Sequence, residues 1–474
     1  MRKLYFVLLG MLLSVCTSCS DSDEAGAEII EPSVAFSELV AGKEISVTIT
    51  PENAVAAAYV CVAAADARPS AAEVLEKGTK IDATRPSTVV IDGLDYDTKY
   101  AIIAAVKGEA GNVGSAATEV TTAKDPATDL GKGANTYIVS EAGSYCFVPE
   151  KVDGTPIDGI ASAGWIWATK TNEGDEVQRL IENVEYADGK IRFTATGERG
   201  SAVIAAFDET KKSIWVWLIW CTEQPEEMEY ENGGVFLDRF LGATSARQAD
   251  GYATWGSILY QWGRNVPIFA GYVDEWGEEC VFDEARKWTV VNPDYFYSWG
   301  VSKTLTTVAG SLAEPMTFFV GEGSNWTVED RTLWGETKTN YDPCPAGYHL
   351  PSEKDWGEFF TNINVLEDQS GATYTYKGKT TWYPAMNHGR MYDTGENIVG
   401  FAGFTVWNSS YTLYDPMDLV NNPNVPYTLE ELIEMGLILN CAQRASYRYA
   451  PDVIGQGFSV ANPSFAFTAR CVKE

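Results

Sequence analysis

The chain has 474 residues, 45% of them hydrophobic and 12% aromatic, enough for about three packed domains. Its 66 acidic residues outweigh 35 basic ones and leave a formal charge of −31, spread along the chain rather than blocked. So negative a surface repels phosphate backbones and anionic lipid, which argues against nucleic acid as a partner.

Chain order begins with Met1-Arg2-Lys3, an apolar run from Leu4 to Val15, then Cys16-Thr17-Ser18-Cys19. A basic start, a short apolar segment and small residues before a cut site predict a signal peptide over 1–18. The run is too short to span a bilayer. Thr17-Ser18-Cys19 resembles the lipobox of bacterial lipoproteins, which implies cleavage before Cys19, a lipid on that cysteine and an outer-membrane address. Cys16 fits less well because Val15 is bulky for the position before the cut. Residues 19–31 read as an acidic linker. Its Ser20-Asp21-Ser22-Asp23-Glu24 resembles the surface-export signal of Bacteroidetes lipoproteins, implying exposure at the cell surface.

From 32 to 124 the pattern is short strands. Ile45, Val47 and Ile49 alternate with Ser46 and Thr48, as in a half-buried strand. Tyr59–Ala63 and Thr88–Ile91 read as further strands, and Ser70 with Glu73 has capping-box spacing ahead of a short helix. Gly93-Leu94-Asp95-Tyr96-Asp97-Thr98-Lys99-Tyr100 resembles the corner motif of fibronectin type III domains. The resemblance implies that the Tyr100 hydroxyl ties back to nearby backbone. Such domains usually serve as spacers, so no site is assigned here.

A second β-sandwich is expected over 130–225. Asp188-Gly189 between Val184-Glu185-Tyr186 and Ile191-Arg192-Phe193 signals a hairpin. Ile214-Trp215-Val216-Trp217-Leu218-Ile219-Trp220 is apolar on both alternating faces, which predicts a central strand covered on two sides. The acidic stretch Glu223–Glu231 reads as a linker.

Beyond it, five blocks follow in order. They are Asp238-Arg239-Phe240-Leu241-Gly242-Ala243, Tyr260-Gln261-Trp262-Gly263-Arg264, Asp342-Pro343-Cys344-Pro345-Ala346-Gly347-Tyr348-His349-Leu350-Pro351, Val406-Trp407-Asn408-Ser409-Ser410 and Arg470-Cys471-Val472. The set resembles the Fibrobacter succinogenes major paralogous domain over 232–474, which implies an α+β, C-type-lectin-like fold and a Cys344–Cys471 disulfide. His349 stands where the family has Arg, and Phe240 where it has Asn. Ser352 and Asp355 have capping-box spacing, with Trp356, Phe359, Phe360 and Ile363 on one helical face. The expected fold class is therefore mainly β and multidomain: two β-sandwiches followed by an α+β C-type-lectin-like domain.

Nine cysteines lie at 16, 19, 61, 146, 221, 280, 344, 441 and 471. Seven follow the anchor, an odd number, so at least one stays unpaired or bridges chains. No CxxC pair follows the signal, so a zinc ribbon is not supported. Two histidines, His349 and His388, cannot furnish a three-histidine metal site. No GxSxG elbow accompanies them, and no Walker or Rossmann fingerprint appears. Asp415, Asp418, Asn421 and Asn422 offer oxygen ligands without a fixed register. No cofactor, metal or catalytic residue is assigned. Trp276, Trp326, Trp382 and Trp407 sit among Gly, Asn, Ser and charged residues, and sugars stack on such rings. Trp382 and Trp407 are the expected ligand-binding residues. The expected function is non-enzymatic recognition of a glycan or surface-protein partner by a lipid-anchored protein. A structural or tip subunit of a surface fibre stands second, and a polysaccharide-active enzyme last.

Overall fold

The computed structural model describes residues 30–171, 174–256, 258–269, 281–321, 325–327, 332–368, 370–385, 389–392, 398–400, 404–414, 426–428, 431, 439–450 and 453–474. The expected signal peptide, Cys19, Trp276, His388 and the 415–424 stretch lie outside them. The fold is mainly β and multidomain. It divides into two compact units, one ending at Asp125 and one running from Pro126 to Glu474. No helix among the described residues is long and apolar enough to cross a membrane.

In the first unit the strands are β1 (Ser33–Ala41), β2 (Ile45–Glu52), β3 (Ala56–Ala63), β4 (Thr79–Ile81), β5 (Ser87–Ile91), β6 (Lys99–Lys107) and β7 (Val113–Thr121), with α1 (Ala71–Lys77) after β3. They form two antiparallel sheets, ordered β1-β2-β5 and β4-β3-β6-β7, a fibronectin-like sandwich. The predicted alternation in β2 drives Ile45, Val47 and Ile49 inward, where they meet Leu94, Ile102 and Ala104. Tyr100 closes the corner: its hydroxyl accepts from the Asp95 amide at 3.0 Å. Thr122 completes it, donating to the Asp95 carbonyl at 2.6 Å and accepting from the Thr98 amide at 2.9 Å. Ser70 and Glu73 form the expected capping box of α1. That helix buries Val74 against Ala58, Ile103 and Ala105, where small side chains let it approach the sheet.

The second unit continues with β8 (Thr128–Asp129), β9 (Thr136–Val139), β10 (Gly143–Phe147), β11 (Ser162–Thr169), β12 (Ile181–Ala187), β13 (Lys190–Ala195), β14 (Gly200–Phe207) and β15 (Ser213–Cys221). After these come β16 (Glu227–Glu229), β17 (Val235–Leu237), β18 (Ile258–Gln261), β19 (Ile268–Phe269), α2 (Val281–Trp288), β20 (Thr289–Val291), β21 (Gly300–Ser302), α3 (Val308–Ala313), β22 (Thr317–Phe319) and β23 (Tyr348–His349). The last elements are α4 (Phe359–Asn362), β24 (Asn364–Val365), β25 (Gly371–Tyr376), β26 (Lys379–Pro384), β27 (Gly389–Tyr392), β28 (Ile398–Gly400), β29 (Phe404–Tyr414), β30 (Leu439–Ala450), β31 (Val453–Ala461), β32 (Ala466–Thr468) and β33 (Val472–Lys473).

One sheet runs β12-β13-β10-β8 and a second β20-β11-β14-β15-β9. Asp188 and Gly189 both take positive φ, 54° and 70°, the two-residue turn that matches strand twist. β15 lies between β14 and β9 and buries side chains on both faces, as its apolar pattern requires.

The outer strand β20 of that second sheet comes from far downstream and pairs with β11 through Trp167↔Val291 to Thr169↔Thr289. The same apolar core runs from Trp167 and Trp217 to Trp262, Trp326, Trp407 and Phe467. The acidic stretch read as a linker is part of this body. Met228 and Tyr230 point inward at alternate positions in and beside β16, among Phe236, Trp356 and Phe359. The predicted 352–363 helix is split. Its Ser352–Asp355 capping box forms, but Gly357 at φ 48° ends a short 3-10 turn before α4 begins. A Cβ at Gly357 would fall 2.2 Å from the Glu231 carbonyl oxygen, so close backbone approach demands glycine here.

Near its end the chain returns to β17. The sheet β16-β17-β33-β23 places Phe236 opposite Val472 and His349 opposite Val472 on the other side. Cys344 and Cys471 are joined in a disulfide across 127 residues of sequence. In the chain-entropy model a loop of that order stabilises by about 5 kcal/mol. The variant with both Cys344→Ala and Cys471→Ala should therefore lose about that much in a denaturant titration of the second unit. An unchanged midpoint would contradict the role given to this crosslink.

Candidate functional site

The motif residues that first suggest a site are spent on architecture. Gln261 uses its whole amide: Nε2 donates to the carbonyls of Phe319 and Ser464, both at 2.6 Å, and Oε1 accepts from the Phe319 amide and from Arg264. Arg264 is fully buried and donates further to the carbonyls of Thr317 and Ser311. The rings of Phe319 and Trp326 flank its guanidinium at 5.1 and 5.7 Å. Burial pulls this group down to about 9, against the favourable charge of Glu314. Arg470 is buried likewise. It donates to the carbonyls of Leu237 and Trp382 and to the Thr381 hydroxyl, and lies 3.9 Å from the Tyr383 ring centroid.

The Asp342 carboxylate organises the third motif. It accepts from the amides of Cys344 and Leu350, each at 2.8 Å, and from Lys338 Nζ at 3.1 Å. Lys338 fills its other donor positions with the carbonyls of Cys344 and Tyr348. Burial lowers its pKa while Asp342 opposes the shift. His349 is buried, its Nδ1 2.7 Å from the Leu350 carbonyl oxygen. In the first motif, Arg239 grips Asp238 and reaches Glu223 and Thr222 just past β15. No group of three or more His, Cys, Asp or Glu side chains suited to a metal occurs among the described residues.

The two tryptophans expected to bind ligand are also interior, which corrects that assignment. Trp407 is 0% exposed, donates its indole N–H to the Tyr260 carbonyl at 2.6 Å and packs 4.5 Å from Phe467. Trp382 is 7% exposed and folds its ring over Gly371, where a Cβ would meet it at 2.4 Å. Trp326 is also buried, donating to the Trp262 carbonyl. For Trp407 and Trp326 the partner is distant in sequence, and for Trp382 it lies on the adjacent hairpin strand, so local polarity misleads.

The surface offers a different aromatic group. Between β20 and β21 runs Asn292-Pro293-Asp294-Tyr295-Phe296-Tyr297-Ser298-Trp299, and Phe296 stands fully clear of the protein at 103% exposure. The residues around it are pinned. The Asn292 amide N–H donates to the Ile166 carbonyl and its side chain to the Trp165 carbonyl, while its Oδ1 accepts from the Asp294 amide. The Tyr295 ring stacks on buried Phe207 at 4.1 Å and 15°. It fits only because position 164 on β11 is glycine: a Cβ there would fall 2.3 Å from the Tyr295 hydroxyl oxygen. The Tyr297 hydroxyl accepts from the Ser213 amide at 2.9 Å, and burial raises its pKa, reinforced by Asp208, Tyr295 and Glu314. Trp299 then turns into the core, donating to Thr289. Rings at 295 and 297 turn in and the one at 296 turns out. Three successive aromatics after an Asn-Pro-Asp turn were the available sequence signal.

No family model matches the chain, and no curated protein matches it. Solved structures with partial likeness include the FN1–FN3 domains of chicken CNTN1, at 12% identity over 44% of this chain and 75% of that one, TM-score 0.17. Another is a 1.5-MDa bacterial ice-binding adhesin, at 10% identity over 40% and 60%, TM-score 0.14. A third is SGBP-B of a Bacteroides ovatus mixed-linkage glucan utilization locus, in complex with a mixed-linkage heptasaccharide, at 12% identity over 46% and 53%, TM-score 0.13. The chain thus spans little more than half the length of the last two, and likeness at these scores carries no functional inference.

Replacing Trp407 by Ala should destabilise the second unit by about 3–5 kcal/mol, the cost of emptying a buried aromatic site. Equilibrium unfolding checks this, and a near-neutral result would return Trp407 to the surface.

Proposed function

We propose that this is a lipid-anchored cell-surface protein of a bacterium that recognises a glycan or protein partner without catalysis, and that the 293–298 loop makes the contact. The observation that carries the reading is Phe296, a large apolar side chain left wholly in water on a loop held by hydrogen bonds and ring stacking. An ordered aromatic on the surface has little reason to be there for stability, and aromatics of this kind dominate binding energy at interfaces. Non-enzymatic action is supported by the fate of Arg264, Asp342, Lys338, His349 and Arg470, whose polar atoms engage backbone in the interior.

The anchor rests on the basic start, apolar run and small residues before Cys19. The 232–474 segment is read as a Fibrobacter succinogenes major paralogous domain of C-type-lectin-like fold. Its support is the five ordered motifs and the pairing of β17 with β33.

Two experiments test this. Cys19→Ser should abolish the acylated N-terminal peptide in mass spectrometry; a normal acyl-peptide in that variant would refute anchoring at Cys19. Phe296→Ala in the full chain should weaken binding on glycan arrays or intact cells by about 1–3 kcal/mol. Its unfolding free energy should stay within about 0.5 kcal/mol of the parent. Equal binding by parent and variant would remove the loop from the contact.

A further inference from the structure

We propose that the partner of the 293–298 loop is a protein, and that Phe296 inserts into an apolar pocket rimmed by basic side chains. The inference rests on the contact role given to this loop above and goes on to the chemistry of what it meets.

Shape favours a pocket. Phe296 projects from the loop fully exposed, and the rings on either side lie against Phe207 rather than widening a platform. A sugar stacked on one ring needs polar groups converging beside that ring to fix its hydroxyls. Here the Tyr297 and Asn292 side chains are committed inward, which leaves Asp294 and Ser298 as the exposed polar residues of the loop beside the ring. Tyr297 holds the Ser213 amide, and the Asn292 side chain spans the Trp165 carbonyl and the Asp294 amide. A single ring with so few polar groups beside it is a weaker sugar site than an anchor for a hole of matching volume. Because the loop is already ordered, little conformational freedom is lost when it docks.

Charge gives the rim. Asp294 is exposed beside Phe296, and Asp208 and Glu314 act electrostatically on Tyr297. The adjoining 208–212 turn adds Glu209, with Lys211 and Lys212 opposing. Four carboxylates against two ammonium groups and the Arg286 guanidinium on the Trp299 carbonyl, on a chain of net charge −31, call for a positive border on the partner. The same charge disfavours an anionic lipid surface as the target of the exposed ring.

Gly164 is the positioning residue. It touches no partner, yet any larger side chain there displaces Tyr295 and with it the turn that presents Phe296.

The test uses the photoreactive residue p-benzoylphenylalanine, placed at position 296 of the full chain in its own cells. Position 177 is the control, a 64% exposed valine of the same unit. The proposal expects a discrete protein adduct from 296 and none from 177, with the crosslinked peptide mapping to an apolar pocket bordered by Lys or Arg. The purified adduct partner should then bind Phe296→Ala about tenfold or more weakly than parent. It should bind Gly164→Val more weakly too, and lose affinity as ionic strength rises. Adducts to polysaccharide or lipid, adducts equal at 296 and 177, no adduct at all, or a purified partner indifferent to Phe296→Ala would each overturn the proposal. A glycan adduct, or loss of glycan-array binding by Phe296→Ala, would leave recognition by this loop standing while removing the protein pocket. Unaltered binding by Phe296→Ala in every format would remove both.

Discussion

A strand with apolar side chains on both faces cannot leave either face in water. β15 carries Trp215, Trp217 and Trp220 with Val216, Leu218 and Ile219 between them, and all six are buried. Fully burying side chains of this kind is worth roughly 1.5–3 kcal/mol each, so the strand's position in the second unit is decided by what covers it. One cover is its own sandwich, with Trp217 edge-on to Phe147. The rest comes from residues beyond 232: the Ala243 carbonyl takes the Trp220 N–H, Tyr341 stacks on Trp215, and β20 extends the sheet. The aromatic turn carrying Phe296 follows directly from that last contact. β20 places Asn292 against β11, and the next residues fall onto Phe207 and Ser213.

Joining the two halves buries polar groups as well, and many of those groups find partners across the join. Asn135 donates to the carbonyls of Asn340 and Asp342 while accepting from the Trp215 indole, and Thr136 donates to the Pro343 carbonyl. Asp342, Lys338, Gln261, Arg264 and Arg470 do the same deeper in the unit. A buried charge of this kind adds little net stability over a well-packed apolar side chain, yet removing one partner is expensive. Such a network therefore fixes register: Asp342 sets the loop that offers Cys344 to Cys471, and Arg470 sets the segment that offers Cys471 to Cys344. Asp342, Gln261, Arg264 and Arg470 of the sequence motifs belong to this network.

Legibility in the sequence followed the range of the interactions. Local rules held: the Ser70 capping box, the Asp188-Gly189 turn, the alternation of β2 and the Tyr100 corner each depend on residues within a few positions. Long-range partners escaped. Glu223–Glu231 looks like a solvated linker because its acids are numerous, but Met228 and Tyr230 have a core waiting some 130 residues away at Trp356 and Phe359. Trp407 looks exposed among Asn and Ser, although Asn408 is itself buried and accepts from the Trp262 and Trp356 indoles. Phe296 is hard to read from sequence for the converse reason. Nothing in a Tyr-Phe-Tyr run says which ring faces water until Gly164 and Phe207 claim the first.

Native-state hydrogen exchange across Pro126–Glu474 tests most directly whether this second unit folds around one shared core. The amides to follow are those of β15, those of Cys344 and Leu350 bound to Asp342, and that of Phe319 bound to Gln261. A single core predicts that all of them exchange through one global opening, with the same free energy and the same denaturant dependence. Exchange of the β15 amides at a free energy distinct from the Asp342- and Gln261-bound set would contradict it, dividing the unit into two that merely touch.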